Sequence, residues 1–209
     1  MESMKKDFDK KAITWDEEPA RVKLANDIAG AISDEITLNP SLDVLDFGCG
    51  TGLLTLRLSP MVRSITGVDS SQGMLGVLNS KIGTMKLTNA KTQYLDLEKG
   101  DVLEGRYNLI VSSMTFHHIK AIGPLLNRFY HVSTHPGHLC IADLDLDDGQ
   151  FHGNNDGVFH FGFDRAELRK AFMEAGFRDI RDRTAARVLK PTPDGSDRLF
   201  TVFLMTGRK

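Results

Sequence analysis

Segments with the pattern of buried strands alternate with segments typical of amphipathic helices over most of the chain. The strand-like segments are 42–47, 64–69, 91–95, 107–113 and 138–144. The helix-like segments are 19–37, 52–59, 71–82, 121–134 and 164–175. This alternation predicts an α/β fold with a mostly parallel sheet and helices on both of its faces.

The C-terminal part of the chain departs from this alternation. Residues 177–188 and 198–206 are both strand-like, and Pro191, Pro193 and Gly195 lie between them instead of a helix. Two strands joined by such a loop predict an antiparallel hairpin. We therefore expect a seven-stranded mixed sheet, in which this hairpin supplies an antiparallel strand.

Composition excludes several classes of protein. The 209 residues are 41% hydrophobic and 26% charged, which suits one soluble domain with its own core. The net charge of −2 gives no general attraction to nucleic acid or to anionic membrane, so we expect neither partner. Because the chain starts without an apolar signal segment and has only two cysteines, Cys49 and Cys140, we expect a cytoplasmic location.

A glycine-rich loop joins the first predicted strand to the next helix, and residues 44–52 read VLDFGCGTG. Gly48, Gly50 and Gly52 leave backbone N–H groups accessible to a ligand at the start of that helix. A dinucleotide-binding loop has the spacing G-x-G-x-x-G, but Leu53 stands where its third glycine would be. Asp46 would also repel a pyrophosphate, so the loop indicates a ligand with a cationic or zwitterionic end.

A second acid lies at the end of the second predicted strand. Asp69 follows Gly48 by 21 residues. An acid in that position can accept hydrogen bonds from both hydroxyls of a ribose. The two features together predict a ligand that has a ribose but no phosphate at the loop.

Four segments in order resemble the successive motifs of class I S-adenosylmethionine-dependent methyltransferases. They read VLDFGCGTG (44–52), GVDSSQGML (67–75), YLDLE (94–98) and YNLIVSSMTFHHI (107–119). Within that class the chain is most similar to the branch that contains the ubiquinone/menaquinone-biosynthesis methyltransferases. The resemblance implies a single methyltransferase domain, with an N-terminal helical lid over 1–37 and a Rossmann-like core over 40–209.

The resemblance also implies a site for S-adenosylmethionine, whose product is S-adenosylhomocysteine. The implied cofactor-binding residues are Asp46, Gly48, Cys49, Gly50, Thr51, Gly52, Asp69, Ser70, Met74, Asp96, Leu97, Ser112, Ser113 and Trp15. Asp46 would support the ammonium group, Asp69 the ribose, and Met74 and Asp96 the adenine. Two alternatives remain open, because Met74 can fill the core and Asp96 can simply cap a turn.

Two adjacent histidines follow the fourth predicted strand. Ligands of open α/β sheets bind at this edge, so we expect His117 and His118 to be catalytic, with His118 preferred on the acceptor side. Either one alone can also be a structural residue. His160 is a further candidate for a base.

A polar loop follows the fifth predicted strand and is flanked by His152 and His160. It contains the acids Asp145, Asp147, Asp148 and Asp156. Their spacing matches no metal-binding pattern, so we expect a solvated acidic loop and no metal.

These features predict a methyltransferase that acts on O, N or C of a small-molecule acceptor, as a monomer or homodimer. The alternatives are a catalytically silent S-adenosylmethionine-binding regulatory module and a methyltransferase acting on RNA or protein. The N-terminal segment (residues 1–18) carries the only tryptophan, Trp15, and alternates charge with Phe8 and Ile13. We expect it to fold over the cofactor as a lid, whereas the alternative is a solvated tail.

Overall fold

The computed structural model describes residues 8–192 and 195–209. The strands are β1 (Asp43–Phe47), β2 (Ser64–Asp69), β3 (Ala90–Tyr94), β4 (Tyr107–Ser113), β5 (Ser133–Leu144), β6 (Arg178–Pro191) and β7 (Asp197–Arg208). The α-helices are α1 (Phe8–Lys11), α2 (Pro19–Glu35), α3 (Leu53–Leu58), α4 (Gln72–Thr84), α5 (Ile122–Val132) and α6 (Arg165–Glu174). Short 3-10 helices cover Trp15–Glu17, Ser59–Met61, Leu97–Lys99 and Phe116–His118.

The strands form one sheet of seven, in the order β3-β2-β1-β4-β5-β7-β6. The first five strands pair in parallel, and β7 pairs antiparallel with both β5 and β6. The predicted mixed sheet with a C-terminal antiparallel hairpin is therefore confirmed. Parallel order places the carboxyl ends of β1, β2 and β4 at the same edge, where the predicted motifs meet.

Both faces of the sheet are buried, which explains the nearly continuous apolar runs of the central strands. Leu109 and Val111 of β4 pack into one hydrophobic cluster together with α2 and α3. Ile110, which lies between them, packs into a second cluster with α5 and α6. Successive side chains of a strand point to opposite faces, so the three consecutive positions 109–111 of β4, which face buried clusters on both sides, are all apolar.

Helix α2 belongs to the core. Its residues Ile28 and Ile32 are buried in the same cluster as Leu54 and Leu58 of α3. The prediction that all of 1–37 forms a lid is therefore wrong for this helix, because its apolar face is fixed against the sheet. The lid prediction is restricted to the N-terminal segment, of which residues 1–7 lie outside the described residues.

None of the helices in the described ranges combines the length and the apolar character needed to cross a bilayer.

Candidate active site

The glycine-rich loop folds back onto the end of β2. The backbone N–H groups of Gly48 and Cys49 donate to the carbonyl of Val68 at 2.8 and 3.0 Å. The N–H of Gly50 donates to the Asp69 carboxylate at 2.8 Å. These bonds fix the loop against the strand that carries the predicted ribose-binding acid.

The three glycines of the loop are needed for different reasons. A Cβ at Gly48 would approach Thr115 to 2.2 Å, and one at Gly52 would approach Leu78 to 2.2 Å. A Cβ at Gly50 would meet nothing nearer than the sulfur of Met74, at 4.0 Å. Contacts within the protein therefore explain Gly48 and Gly52, whereas the space beside Gly50 is open to a ligand.

Asp46 is buried and accepts a hydrogen bond from the Thr55 hydroxyl at 2.6 Å. Burial raises the pKa of Asp46 to about 7, and the nearby charge of Asp69 adds to the rise although the Thr55 hydrogen bond opposes it. A cation placed beside this carboxyl would relieve the cost of its ionisation. The motif identified Asp46, but nothing in the sequence pattern pointed to Thr55.

Asp69 uses both carboxylate oxygens within the protein. One accepts the N–H of Gly50 and the other accepts the N–H of Ser71, each at 2.8 Å. Burial raises the pKa of Asp69, and these backbone hydrogen bonds act in the opposite direction. Each carboxylate oxygen has a second lone pair. The group can therefore also accept two hydroxyls of a ribose.

The residues predicted to contact adenine are in two different environments. Met74 is buried in the first turn of α4, where the Ser71 hydroxyl accepts its backbone N–H at 3.1 Å. Ser70, next to that turn, is exposed. Asp96 is buried and caps the 3-10 helix Leu97–Lys99 by accepting the N–H of Glu98 at 3.1 Å. Asp96 therefore caps a turn, as the alternative interpretation expected.

The two serines at the end of β4 differ in accessibility. Ser112 is buried, and its hydroxyl donates to the carbonyl of Phe47 at 2.8 Å. This contact ties β4 to the end of β1 and engages the hydroxyl within the sheet. Ser113 is partly exposed, so it is the better placed of the two to reach a ligand.

Two carboxylates attach the described part of the N-terminal segment to the site. Asp9 accepts the hydroxyl of Ser71 at 2.5 Å and the N–H of Gly73 at 2.7 Å. Asp16 accepts the Thr51 hydroxyl at 2.5 Å and forms an ion pair with Lys81. The segment therefore lies against the glycine-rich loop and α4, although the sequence pattern did not identify Asp9 or Lys81.

Trp15 lies in the same segment and already has a cationic neighbour. The guanidinium carbon of Arg21 lies 4.0 Å from the centre of the Trp15 ring. Because Arg21 covers that face, only the opposite face of Trp15 could contact a cationic ligand.

The histidines after β4 have fixed ring orientations. His117 is buried, with Nδ1 2.7 Å from the carboxylate of Asp143. His118 is partly buried, with Nδ1 2.7 Å from the carbonyl of Gly157. His160 donates through Nε2 to the carbonyl of Ile119 at 2.9 Å, so in the neutral ring Nδ1 is the nitrogen that bears the lone pair.

The acids of the polar loop are engaged in contacts with the protein. Asp145 binds Arg165 through two hydrogen bonds of 2.6 and 2.7 Å. Asp148 lies 3.3 Å from Arg198. His152 instead lies beside His117, with their ring centres 4.9 Å apart. Neither the spacing of the loop nor the histidine pair indicated that contact.

Comparison with known proteins gives the family. A family model described as a methyltransferase domain matches residues 20–182. The chain belongs to this methyltransferase family. The prediction of a class I S-adenosylmethionine-dependent methyltransferase domain is thereby confirmed.

The relatives differ in what is known of them. An uncharacterized methyltransferase of Schizosaccharomyces pombe is 32% identical over 120 residues, which cover 54% of this chain and 42% of that protein. The malonyl-[acyl-carrier protein] O-methyltransferase of Bacillus anthracis is 27% identical over 170 residues, or 80% of this chain and 59% of that protein. The chain thus spans about half the length of these curated relatives.

A solved structure shares the fold. Phosphoethanolamine N-methyltransferase 2 of Haemonchus contortus, in complex with S-adenosyl-L-methionine, superposes with a TM-score of 0.69 at 16% identity. The match covers 87% of this chain and 52% of that chain.

The first prediction concerns the raised pKa of Asp46. A folded-state pKa of about 7, above the unfolded value of about 3.9, gives a stability contribution that is lost as the pH rises toward 7. From about pH 5 to about pH 8, the wild type should lose on the order of 2 kcal/mol more unfolding free energy than Asp46→Asn. Urea denaturation at both pH values measures the difference.

The exposed Asp34→Asn serves as the control for this prediction and should follow the wild type. Parallel pH dependences of the wild type and Asp46→Asn would show that Asp46 ionises in the folded protein as an ordinary carboxyl does.

The second prediction concerns the contacts of the N-terminal segment. Replacing both Asp9 and Asp16 by alanine should leave the melting temperature of the ligand-free protein nearly unchanged, because the segment lies outside the core. The rise in melting temperature caused by S-adenosylhomocysteine should shrink, because a closed lid adds ligand contacts. Differential scanning fluorimetry measures both values.

Asp34→Ala is the matched control for the loss of surface carboxylates and should keep the full ligand-induced rise. If the double variant keeps it as well, the segment is a tail. If the ligand-free protein melts far lower, the segment is a structural element.

Proposed function

We propose that this chain transfers a methyl group from S-adenosylmethionine to an O, N or C atom of a small-molecule acceptor. The observation that carries the proposal is the pair of backbone hydrogen bonds to Asp69, from Gly50 and Ser71. They hold a carboxylate at the carboxyl edge of the sheet, beside a glycine whose Cβ position is open.

The residues around this point fit the cofactor. The open space at Gly50 suits the close approach of a ligand to the backbone. Asp69 offers lone pairs to the ribose, and the buried carboxyl of Asp46 favours a nearby ammonium. Met74, whose sulfur lies 4.0 Å from the Gly50 Cβ position, would pack against the adenine.

The sulfonium methyl is a strong electrophile, so the protein mainly has to position the acceptor. Holding the acceptor in line with the methyl group and excluding water supplies about 7–11 kcal/mol in favourable cases. The N-terminal segment would exclude water by closing over the site, since Asp9 and Asp16 attach it there.

His118 would contact the acceptor. Its Nδ1 faces the carbonyl of Gly157, so in the neutral ring Nδ1 carries the proton and Nε2 keeps a lone pair. That lone pair can accept a hydrogen bond from an acceptor O–H or N–H. His117 is buried against Asp143, so it would act by orienting its neighbour.

The narrower assignments rest on the sequence and on the relatives. The ubiquinone/menaquinone-branch acceptors rest on the sequence resemblance alone, and the Bacillus anthracis relative is named for malonyl-[acyl-carrier protein] as its acceptor. The two buried free cysteines fit a reducing, cytoplasmic location. We propose a monomer or homodimer that needs no nucleic acid or membrane.

The third prediction tests cofactor binding. Calorimetry should show binding of S-adenosylmethionine and S-adenosylhomocysteine but not of NAD. Asp69→Ala should weaken binding by roughly 1–3 kcal/mol, because the ribose hydroxyls lose a buried acceptor. Asp34→Ala is the control and should bind as the wild type does. An Asp69→Ala variant that is folded and binds with unchanged affinity would refute the proposed site.

The fourth prediction tests the acceptor side. In a screen of small O, N and C nucleophiles, scored by release of S-adenosylhomocysteine, His118→Ala should lower turnover far more than cofactor affinity. The exposed His131→Ala is the control. Turnover within a factor of about two of the wild type would show that His118 has a structural role, since a positioned acid or base usually contributes more than this to the rate.

The screen also separates the alternatives. Cofactor binding with no turnover on any small acceptor would favour the regulatory module. Turnover restricted to RNA or protein would show that the acceptor is one of these macromolecules and not a small molecule.

A further inference from the structure

Three histidine rings meet at the carboxyl edge of the sheet and form the histidine cluster (His117, His118 and His152). The ring centres of His117 and His118 are 4.1 Å apart, and that of His152 lies 4.9 and 5.9 Å from them. One ring nitrogen from each residue lies within 4.8 Å of the other two. His117 is buried, whereas His118 and His152 are partly buried.

Oxygen atoms fix the tautomers of two of these rings. The Asp143 carboxylate lies 2.7 Å from Nδ1 of His117, and the Gly157 carbonyl lies 2.7 Å from Nδ1 of His118. Such oxygens accept hydrogen bonds, so each Nδ1 carries a proton, and in the neutral rings Nε2 is the nitrogen that bears the lone pair. A carboxylate behind a histidine is the usual arrangement around metal-binding imidazoles.

We propose that the histidine cluster binds a divalent zinc ion, with Asp143 and the Gly157 carbonyl orienting the ligand rings. Three neutral imidazoles suit zinc, whereas magnesium and calcium require oxygen ligands. The acids of the polar loop do not complete the set, since Asp145 and Asp148 lie against arginines.

The cluster is nearly preformed for such an ion. Zinc–nitrogen distances of about 2.0–2.1 Å place the ligand nitrogens of a tetrahedral site about 3.4 Å apart. The three ligand nitrogens lie within 4.8 Å of one another, so the two that are farthest apart have to approach by little more than an ångström. His152 lies in the loop after β5, where a small shift leaves the sheet unchanged.

Three protein ligands leave the fourth zinc position open. In a part of the inference that rests on the proposed function, an acceptor O–H binds at this position instead of at Nε2 of His118, which the zinc then occupies. The proton of that O–H goes to solvent on coordination. The acceptor atom then forms its bond to the methyl carbon while the carbon–sulfur bond breaks. The bonding pair stays on sulfur, which gives S-adenosylhomocysteine and the methylated acceptor.

Zinc binding is tested on the full chain without a histidine tag, freed of metal by a chelator. Titration calorimetry with zinc alone should show one ion per chain, and cobalt should give the visible absorption of a four-coordinate site. His152→Ala should weaken binding at least tenfold, and Asp143→Asn by about 10–100-fold, which is typical for the partner of a ligand histidine. His131→Ala is the control and should bind as the wild type does.

His152→Ala is the decisive variant, because His152 lies in a loop outside the sheet and its replacement should leave the fold intact. Circular dichroism checks each variant for folding. No binding to the wild type, or equal binding to His152→Ala, overturns the proposal.

Neither acceptor nor cofactor is present in this titration, so its result is independent of methyl transfer. If zinc fails to bind while S-adenosylmethionine binds and turnover occurs, only the metal site is refuted. If zinc binds but S-adenosylmethionine does not, only the proposed function is refuted.

Discussion

The contact between Asp69 and the backbone N–H of Gly50 holds the cofactor edge of this protein together. It joins the loop after β1 to the end of β2 at 2.8 Å. The same carboxylate starts the turn into α4 through Ser71. Because Ser71 is also the partner of Asp9, the position of the N-terminal segment depends on this turn as well. One acid thus organises the loop, the helix and the N-terminal segment.

The sequence predicted the sheet and the cofactor motifs because both are encoded locally. Strand periodicity depends on neighbouring residues, and the run 44–52 contains the strand, the acid and all the glycines of the loop. The sequence pattern could not say which glycine faces a ligand. Gly48 and Gly52 are explained by Thr115 and Leu78, which are distant in sequence and reach the loop only through the fold.

The missed parts of the site arise from long-range contacts. Asp143 reaches His117 from the next strand of the sheet, and His152 reaches it from the loop that follows. Lys81 reaches Asp16 from the far end of α4. Apolar periodicity placed 19–37 in a helix but did not show that this helix packs on the sheet. These are facts of packing, which a pattern along one segment does not contain.

Electrostatics narrow the choice of nucleotide further than the loop spacing does. The charge of Asp69 raises the pKa of Asp46, and the charge of Asp9 raises the pKa of Asp69. A pyrophosphate would bring more negative charge into this group, and the repulsion would be strong because Asp46 is buried. A ligand with an ammonium and a sulfonium group removes the conflict. The burial of Asp46, which the sequence does not show, therefore supports the cationic ligand on grounds independent of the motif.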